Sequence, residues 1–173
     1  MVNYKNISRA IKLKAEKIKL VLTDSDGVLT DTGVYYSARG EEMKRFSIRD
    51  GMGVERLRKL AGVNSGIITG ELSSSVKKRA EKLNIIELHL GVKDKKKIFE
   101  EITERNGLLP ENIAFIGDDT NDLEVIQMAG LSACPFDAVI EVKKIVDYIT
   151  DSRGGYGAFR DFAEIIIASK LSL

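Results

Sequence analysis

Two aspartates, Asp24 and Asp26, stand one residue apart directly after the apolar run Ile18 to Thr23. Another apolar run, Asn112 to Ile116, leads into Gly117-Asp118-Asp119-Thr120-Asn121-Asp122. A third, Ser65 to Ile68, ends in Thr69-Gly70, and a lysine-rich stretch, Lys93-Asp94-Lys95-Lys96-Lys97, follows a fourth. Several carboxylates gathered in one place repel each other and call for a cation. An all-oxygen donor set suits a hard ion such as Mg2+ rather than zinc or copper. Mg2+ beside a threonine hydroxyl, an ammonium and open backbone amides is a site for a phosphate group. A carboxylate there can attack phosphorus and carry it as an aspartyl-phosphate. A second carboxylate two residues on can protonate the leaving oxygen and later activate water. A lysine would offset charge on the transferring phosphoryl group; spacing alone does not choose among the four lysines.

For these groups to meet, the elements bearing them must align. Residues 7–17 read as a Lys-rich amphipathic helix and 18–23 as a short strand. Residues 33–48 alternate with β-formers around Ala38-Arg39-Gly40 and predict a β-hairpin. Asp50-Gly51 then opens a helix carrying Val54, Leu57, Leu60 and Ala61. Strands at 65–69, 85–90, 112–116, 131–134 and 145–149 alternate with helices at 73–83, 94–106, 120–129, 137–144 and 158–170. Strict alternation predicts an α/β fold, a Rossmann-like parallel sheet with helices on both faces, plus the one small hairpin after the first strand. Ligands of such sheets bind beyond the carboxyl ends of the strands, where Asp24, Asp26, Thr69, Gly70, the lysine run and Asp118 all fall.

Composition narrows the class. The chain has 173 residues, 43% hydrophobic and 31% charged, the size and make-up of one globular domain. Lys plus Arg is 27 and Asp plus Glu 26, too balanced for a nucleic-acid binder working by counterion release. The single cysteine, Cys134, excludes a disulfide framework. No apolar run approaches the ~20 residues a membrane span needs, and the N-terminal stretch lacks a signal-type apolar core. A cytoplasmic protein is the expectation, with the Asn6-Ile7-Ser8 sequon a chance match. His89 reads as structural, and Gly154-Gly155-Tyr156-Gly157 as a flexible joint before the last helix.

The motifs in this order resemble the haloacid dehalogenase superfamily. Asp24-Ser25-Asp26-Gly27-Val28-Leu29-Thr30-Asp31 resembles its first motif, Ile67-Ile68-Thr69-Gly70 its second, Lys95 its third and Gly117 to Asp122 its fourth. The hairpin without a large cap resembles the minimal-cap subclass, which contains the 3-deoxy-octulosonate 8-phosphate phosphatases and their nine-carbon relatives. Gly33-Val34-Tyr35-Tyr36, Phe46 to Gly51 and the Gly154 to Gly157 loop are similar to that group. The likeness spans residues 16–168 and implies one phosphatase domain over 1–173, with 33–48 as mini-cap and 151–173 as glycine loop and last helix.

Carried over, the resemblance makes Asp24 the nucleophile and a metal ligand. Asp26 becomes the general acid/base, lending its carbonyl to Mg2+, and Asp118 the third ligand. Asp119 and Asp122 orient the metal shell. Thr69 and the Gly70 amide hold phosphate, and Lys95 bridges nucleophile and phosphate. Glu71, where octulosonate enzymes usually carry Arg, together with Lys82 eleven residues on, resembles phosphatases of nine-carbon 2-keto-3-deoxy acids, so the substrate expectation leans to nine carbons. The alternatives are an octulosonate 8-phosphate phosphatase, and a non-catalytic assembly module of the kind fused to cytidylyltransferases. Arg153 and Arg160 are placed near the substrate carboxylate. The resemblance also implies a homotetramer through the hairpin, with Tyr35, Tyr36, Met43 and Phe46 at the interface. Ser25 stands where the family is usually apolar and has no evident role.

Overall fold

The structure is a computed structural model and describes residues 7–171. Residues 1–6 and 172–173 of the expected domain, with Asn6 of the sequon, lie outside the described residues. Eight strands and seven α-helices follow one another: α1 (Arg9–Glu16), β1 (Leu20–Thr23), β2 (Thr30–Ser37), β3 (Gly40–Phe46), α2 (Ile48–Arg56), β4 (Asn64–Ile68), α3 (Ser74–Leu83), β5 (Glu87–His89), α4 (Lys95–Arg105), β6 (Ile113–Ile116), α5 (Leu123–Met128), β7 (Leu131–Cys134), α6 (Ile140–Lys143), β8 (Tyr148–Ile149) and α7 (Ala158–Lys170).

Six strands form one parallel sheet in the order β5-β4-β1-β6-β7-β8, while β2 and β3 pair antiparallel as a separate ribbon. The central strands are apolar at consecutive positions because both faces are covered. Val21, Ile67, Ala114 and Ile116 point into one core, completed by Leu57 of a π-helical turn after α2 and by Phe159 and Phe162 of α7. Leu20, Leu22, Ile68, Ile113 and Phe115 point into the other, against Phe99 and Ile102 of α4, Val125 of α5 and Val142 of α6. Fully burying one such side chain is worth ~1.5–3 kcal/mol. No described helix is long and apolar enough to cross a membrane.

The alternating pattern is therefore observed, with local differences. The ribbon starts at Thr30, not 33, because the turn after β1 runs straight into it: the Ser25 carbonyl accepts from the Val28, Leu29 and Thr30 amides. The last strand is only Tyr148–Ile149 and the helix before it only Ile140–Lys143. The glycine loop is not a loose joint. Gly155 donates to the Val28 carbonyl at 2.9 Å, Gly154 donates to Asp137 Oδ1 at 2.9 Å, and Gly157 donates to buried Asp50 Oδ2 at 3.1 Å. Gly154 lies so close to the Gly27 carbonyl oxygen that a Cβ there would sit 1.8 Å from it.

Candidate active site

The loops that leave β1, β4 and β6 meet at one end of the sheet, and the ladder hydrogen bonds continue into them. Asp24 N–H donates to the Ile116 carbonyl (3.0 Å), Thr69 N–H to that of His89 (2.9 Å) and Gly117 N–H to that of Ala133 (3.3 Å). These bonds fix where each loop departs. Gly27, at φ +86°, then turns the chain so tightly that a Cβ would come within 1.9 Å of Asp118 Oδ2. The left-handed conformation and the absent side chain are both required to bring the two acidic loops together.

Lys95 enters from the first turn of α4. It is 4% exposed, and its ammonium contacts Asp122 Oδ1 at 2.7 Å and Asp24 Oδ1 at 3.1 Å. Of the four lysines in the run, this is the one the fold delivers to the acidic groups. Asp122 is fully buried, and its other oxygen accepts from the Asp118 and Asp119 amides at 3.0 and 3.4 Å. Asp119 caps the short 3-10 turn that follows and lines the cavity. Ser25 N–H donates to Asp24 Oδ1 at 2.7 Å.

Asp24, Asp118 and Asp122 each place a carboxylate oxygen within 4.8 Å of the others. Burial, then the Asp122 charge, pushes the Asp24 carboxyl up to about 7 against the pull of Lys95. Burial, followed by the Asp24, Asp122 and Asp119 charges, pushes Asp118 up to about 8. Burial would lower Lys95, but Asp24 and Asp122 outweigh it and hold the ammonium above its usual value. One lysine thus leaves the cluster short of positive charge, and Asp118 Oδ1 is buried with no hydrogen-bond partner. An orphaned carboxylate oxygen between mutually repelling carboxylates is what a site for a hard divalent cation presents. Mg2+ fits this donor set, with Asp24 and Asp118 as the side chains to hold it.

A cavity of about 240 Å3 opens beside the cluster, lined by Asp24, Asp26, Thr32, Thr69, Gly70, Glu71, Asp118, Asp119 and Asn121. Asp26 is held by Thr30 Oγ1 (3.1 Å) and Lys44 Nζ (2.6 Å). Thr32, Lys44 and Asn121 are site residues that the sequence reading missed. The strand alternation of the hairpin carries no mark of which lysine turns inward, although Asn121 lies inside the fourth motif.

The outer residues fall elsewhere. Lys82 is exposed in the last turn of α3 and is not among the lining residues. At 1.5 Å per residue it sits about 12 Å along the helix from Ser74. Arg160 pairs through Nε with Glu164 Oε1 at 2.7 Å, beside Arg56 on the same carboxylate, and does not line the cavity. Arg153 is exposed. Phe46 packs partly buried against the core with Arg79 5.7 Å above its ring, whereas Tyr35, Tyr36 and Met43 are 60–69% exposed. His89 bonds Glu87 at 3.1 Å, as a structural histidine would. Cys134 is fully buried, which pushes its thiol up to about 12.

Comparison with known proteins gives the site its context. The profile of the haloacid dehalogenase-like hydrolases matches residues 62–157. The 3-deoxy-D-manno-octulosonate 8-phosphate phosphatase of Escherichia coli K12 is 35% identical over 167 residues, 96% of this chain and 88% of that protein. A crystal structure of the Moraxella catarrhalis phosphatase of the same name, in complex with magnesium, phosphate and KDO, superposes with a TM-score of 0.91. It is 34% identical and covers 96% of this chain and 95% of that one. The cobalt-bound Haemophilus influenzae phosphatase superposes with a TM-score of 0.87 at 37% identity, covering 91% of each chain.

Proposed function

The chain belongs to the haloacid dehalogenase-like hydrolases and is a phosphoric monoester hydrolase, and we propose that its substrate is 3-deoxy-D-manno-octulosonate 8-phosphate. The observation that carries this reading is the assembled acidic cluster with its orphaned oxygen, in a chain that matches octulosonate phosphatases along nearly its whole length. The nine-carbon expectation required Glu71 and Lys82 to act together. Glu71 lines the cavity, but Lys82 stands at the far end of α3, which removes the support for that lean.

The chemistry follows from the placed groups. Both hydrogen bonds to Asp24 go to Oδ1, so Oδ2 is the oxygen that attacks phosphorus. As the Asp24–phosphorus bond forms and the ester bond breaks, Asp26 gives its proton to the departing sugar oxygen. Water then attacks the aspartyl-phosphate, Asp26 takes the water's proton, and inorganic phosphate and the carboxylate of Asp24 are regenerated. Thr69 and the Gly70 amide, at the cavity wall, hold the phosphate oxygens, and Lys95 orients Asp24 and pulls it toward its ionised form against burial and Asp122. Bound Mg2+ would supply charge neutralisation of the phosphoryl oxygens. The exposed Tyr35, Tyr36 and Met43 make the hairpin a self-association surface, and a tetramer is the expected assembly.

Steady-state phosphate release with Mg2+, from octulosonate 8-phosphate, ketodeoxynononate 9-phosphate and N-acetylneuraminate 9-phosphate side by side, tests the substrate. A kcat/KM advantage of about tenfold, ~1.4 kcal/mol, is expected for the eight-carbon ester. The same advantage for either nine-carbon ester overturns the assignment.

A further inference from the structure

The hairpin carries a lysine for which the reaction as described has no use. Lys44 lies on β3, in a ribbon whose neighbours Tyr35 and Met43 are largely exposed, yet its own side chain is only 1% exposed. Taking an ammonium out of water costs several kcal/mol unless it is well paired. Lys44 is paired twice, with Asp26 Oδ2 at 2.6 Å and Glu41 Oε2 at 3.4 Å. Burial would lower its pKa, but the contact with Asp26 and the charges of both carboxylates outweigh this, so it stays a cation. Glu41 also accepts from the hydroxyl of Ser73. Ser73 caps α3, accepting from the Val76 amide at 3.2 Å, and so closes the loop that begins at Thr69-Gly70.

A pair that only fastened the ribbon would be satisfied by Glu41, a neighbour on the same strand. The shorter contact goes instead to Asp26, which lines the cavity. The second oxygen of Asp26 accepts from Thr30, fully buried at the start of β2. The carboxyl is therefore gripped at both oxygens, once from each strand of the ribbon. An aspartate has two side-chain torsions, and proton transfer in a reacting complex needs heavy atoms ≈ 2.6–3.2 Å apart, so small rotations of an ungripped carboxyl would be expensive.

We propose that Lys44 is a positioning residue of the phosphatase: it holds Asp26 Oδ2, so that the proton handed to the leaving oxygen is carried on Oδ1, whose donor is the rotatable Thr30 hydroxyl, and Glu41 and Ser73 tie that lysine to the phosphate-binding loop. The ammonium keeps its own protons throughout. The ribbon thereby serves the site of its own chain. The inference rests on the reading of Asp26 as general acid, so the experiment examines both.

The measurement is kcat/KM, which reports the step that expels the leaving group, on two esters: octulosonate 8-phosphate, whose alkoxide must be protonated, and p-nitrophenyl phosphate, whose phenolate leaves unaided. Wild type, Lys44→Met, Lys44→Arg, Asp26→Asn and the double variant Lys44→Met/Asp26→Asn are compared. Lys44→Met is expected to lose about 100-fold on the sugar ester and less than about threefold on the aryl ester, within the range general acids supply. Lys44→Arg should recover at least about tenfold of the loss. In the Asp26→Asn background, Lys44→Met should cost less than about twofold more, because residues acting as a unit are not additive. Equal losses on both esters, or a full Lys44→Met loss on top of Asp26→Asn, overturns the proposal and leaves a structural ion pair. If Asp26→Asn itself spares neither ester selectively, the acid assignment falls and the Lys44 proposal with it. A selective Asp26→Asn with an unselective Lys44→Met refutes the lysine's role alone. Should Lys44→Met fail to fold by circular dichroism, Lys44→Gln, which is one carbon shorter but keeps a donor without the charge, makes the same comparison.

Discussion

Asp118→Asn is expected to make the metal-free protein more stable while abolishing turnover. In the folded chain, burial and the surrounding carboxylates push Asp118 up to about 8 from 3.8. A carboxyl whose folded pKa is raised holds a proton that the unfolded chain has already released. Its contribution is therefore neutral below about pH 4 and increasingly unfavourable as pH rises from 4 to 8. At pH 7 the gap from 3.8 is about three pH units, which at ~1.4 kcal/mol each is about 4 kcal/mol. Asparagine removes that charge at nearly constant shape. It leaves an amide in a spot where Asp118 Oδ1 already has no partner, a cost of ~1–3 kcal/mol. The net gain is about 2 kcal/mol, or roughly 5 °C in Tm for a chain of this length. The assay is thermal unfolding in EDTA at pH 4, 5, 6, 7 and 8, repeated with excess Mg2+. The variant should be less stable than wild type by about 2 kcal/mol at pH 4, where only the unpaired amide counts, and the difference should rise steadily through zero to favour the variant at pH 7 and 8. With Mg2+ at about 100 times its Kd the order should reverse, since binding to the wild type alone adds ~2.7 kcal/mol. A pH-independent difference, or a variant less stable than wild type at pH 8 without metal, would refute the electrostatic account of the cluster.

Three other substitutions probe the scaffold around the site. Gly154→Ala places a methyl 1.8 Å from the Gly27 carbonyl oxygen, so the turn bearing Asp26 must move; a loss of about 2–3 kcal/mol in denaturant unfolding and more than about tenfold in kcat is expected. Thr32 is a β-branched residue held at φ +67°. Thr32→Gly should gain about 1 kcal/mol, read as a rise in Tm of about 2–4 °C. The Ser25 hydroxyl is buried and unpaired, so Ser25→Ala should be stabilising by about 1 kcal/mol, with the urea midpoint raised and the slope unchanged.

Much of the candidate rim was legible because Asp24, Asp26, Thr69 and Asp118 lie at or just beyond strand ends, and strand ends announce themselves by an apolar run that stops. Position alone would have left Asp24 and Thr69 as a polar turn and a strand end; the four motifs in order singled them out with Asp118. Lys95 needed the family pattern, since four lysines share its stretch and only the first turn of α4 turns one inward. Lys82 and Arg160 do not line this chain's cavity: a spacing along the chain does not say how far α3 carries Lys82 from its start, and Arg160 turns to Glu164. Lys44 was invisible because a ribbon strand alternates whichever face is covered, and what covers its inner face is the turn after β1. The glycine loop read as slack because glycines mark freedom in an unfolded chain; here Gly154 marks a contact too close for a side chain.

That contact has a consequence for how the enzyme comes into being. The Gly155 amide and the Val28 carbonyl are joined at 2.9 Å across most of the chain's length. During synthesis β1 and its aspartates emerge well before the segment that backs their turn. A nascent chain can build most of the sheet and the core beneath α4, α5 and α6 before it owns a rigid acidic pocket, while the other core waits for α7. A pocket rigid enough to capture a metal ion and split a phosphate ester is therefore acquired only once the glycine loop has closed on the turn after β1.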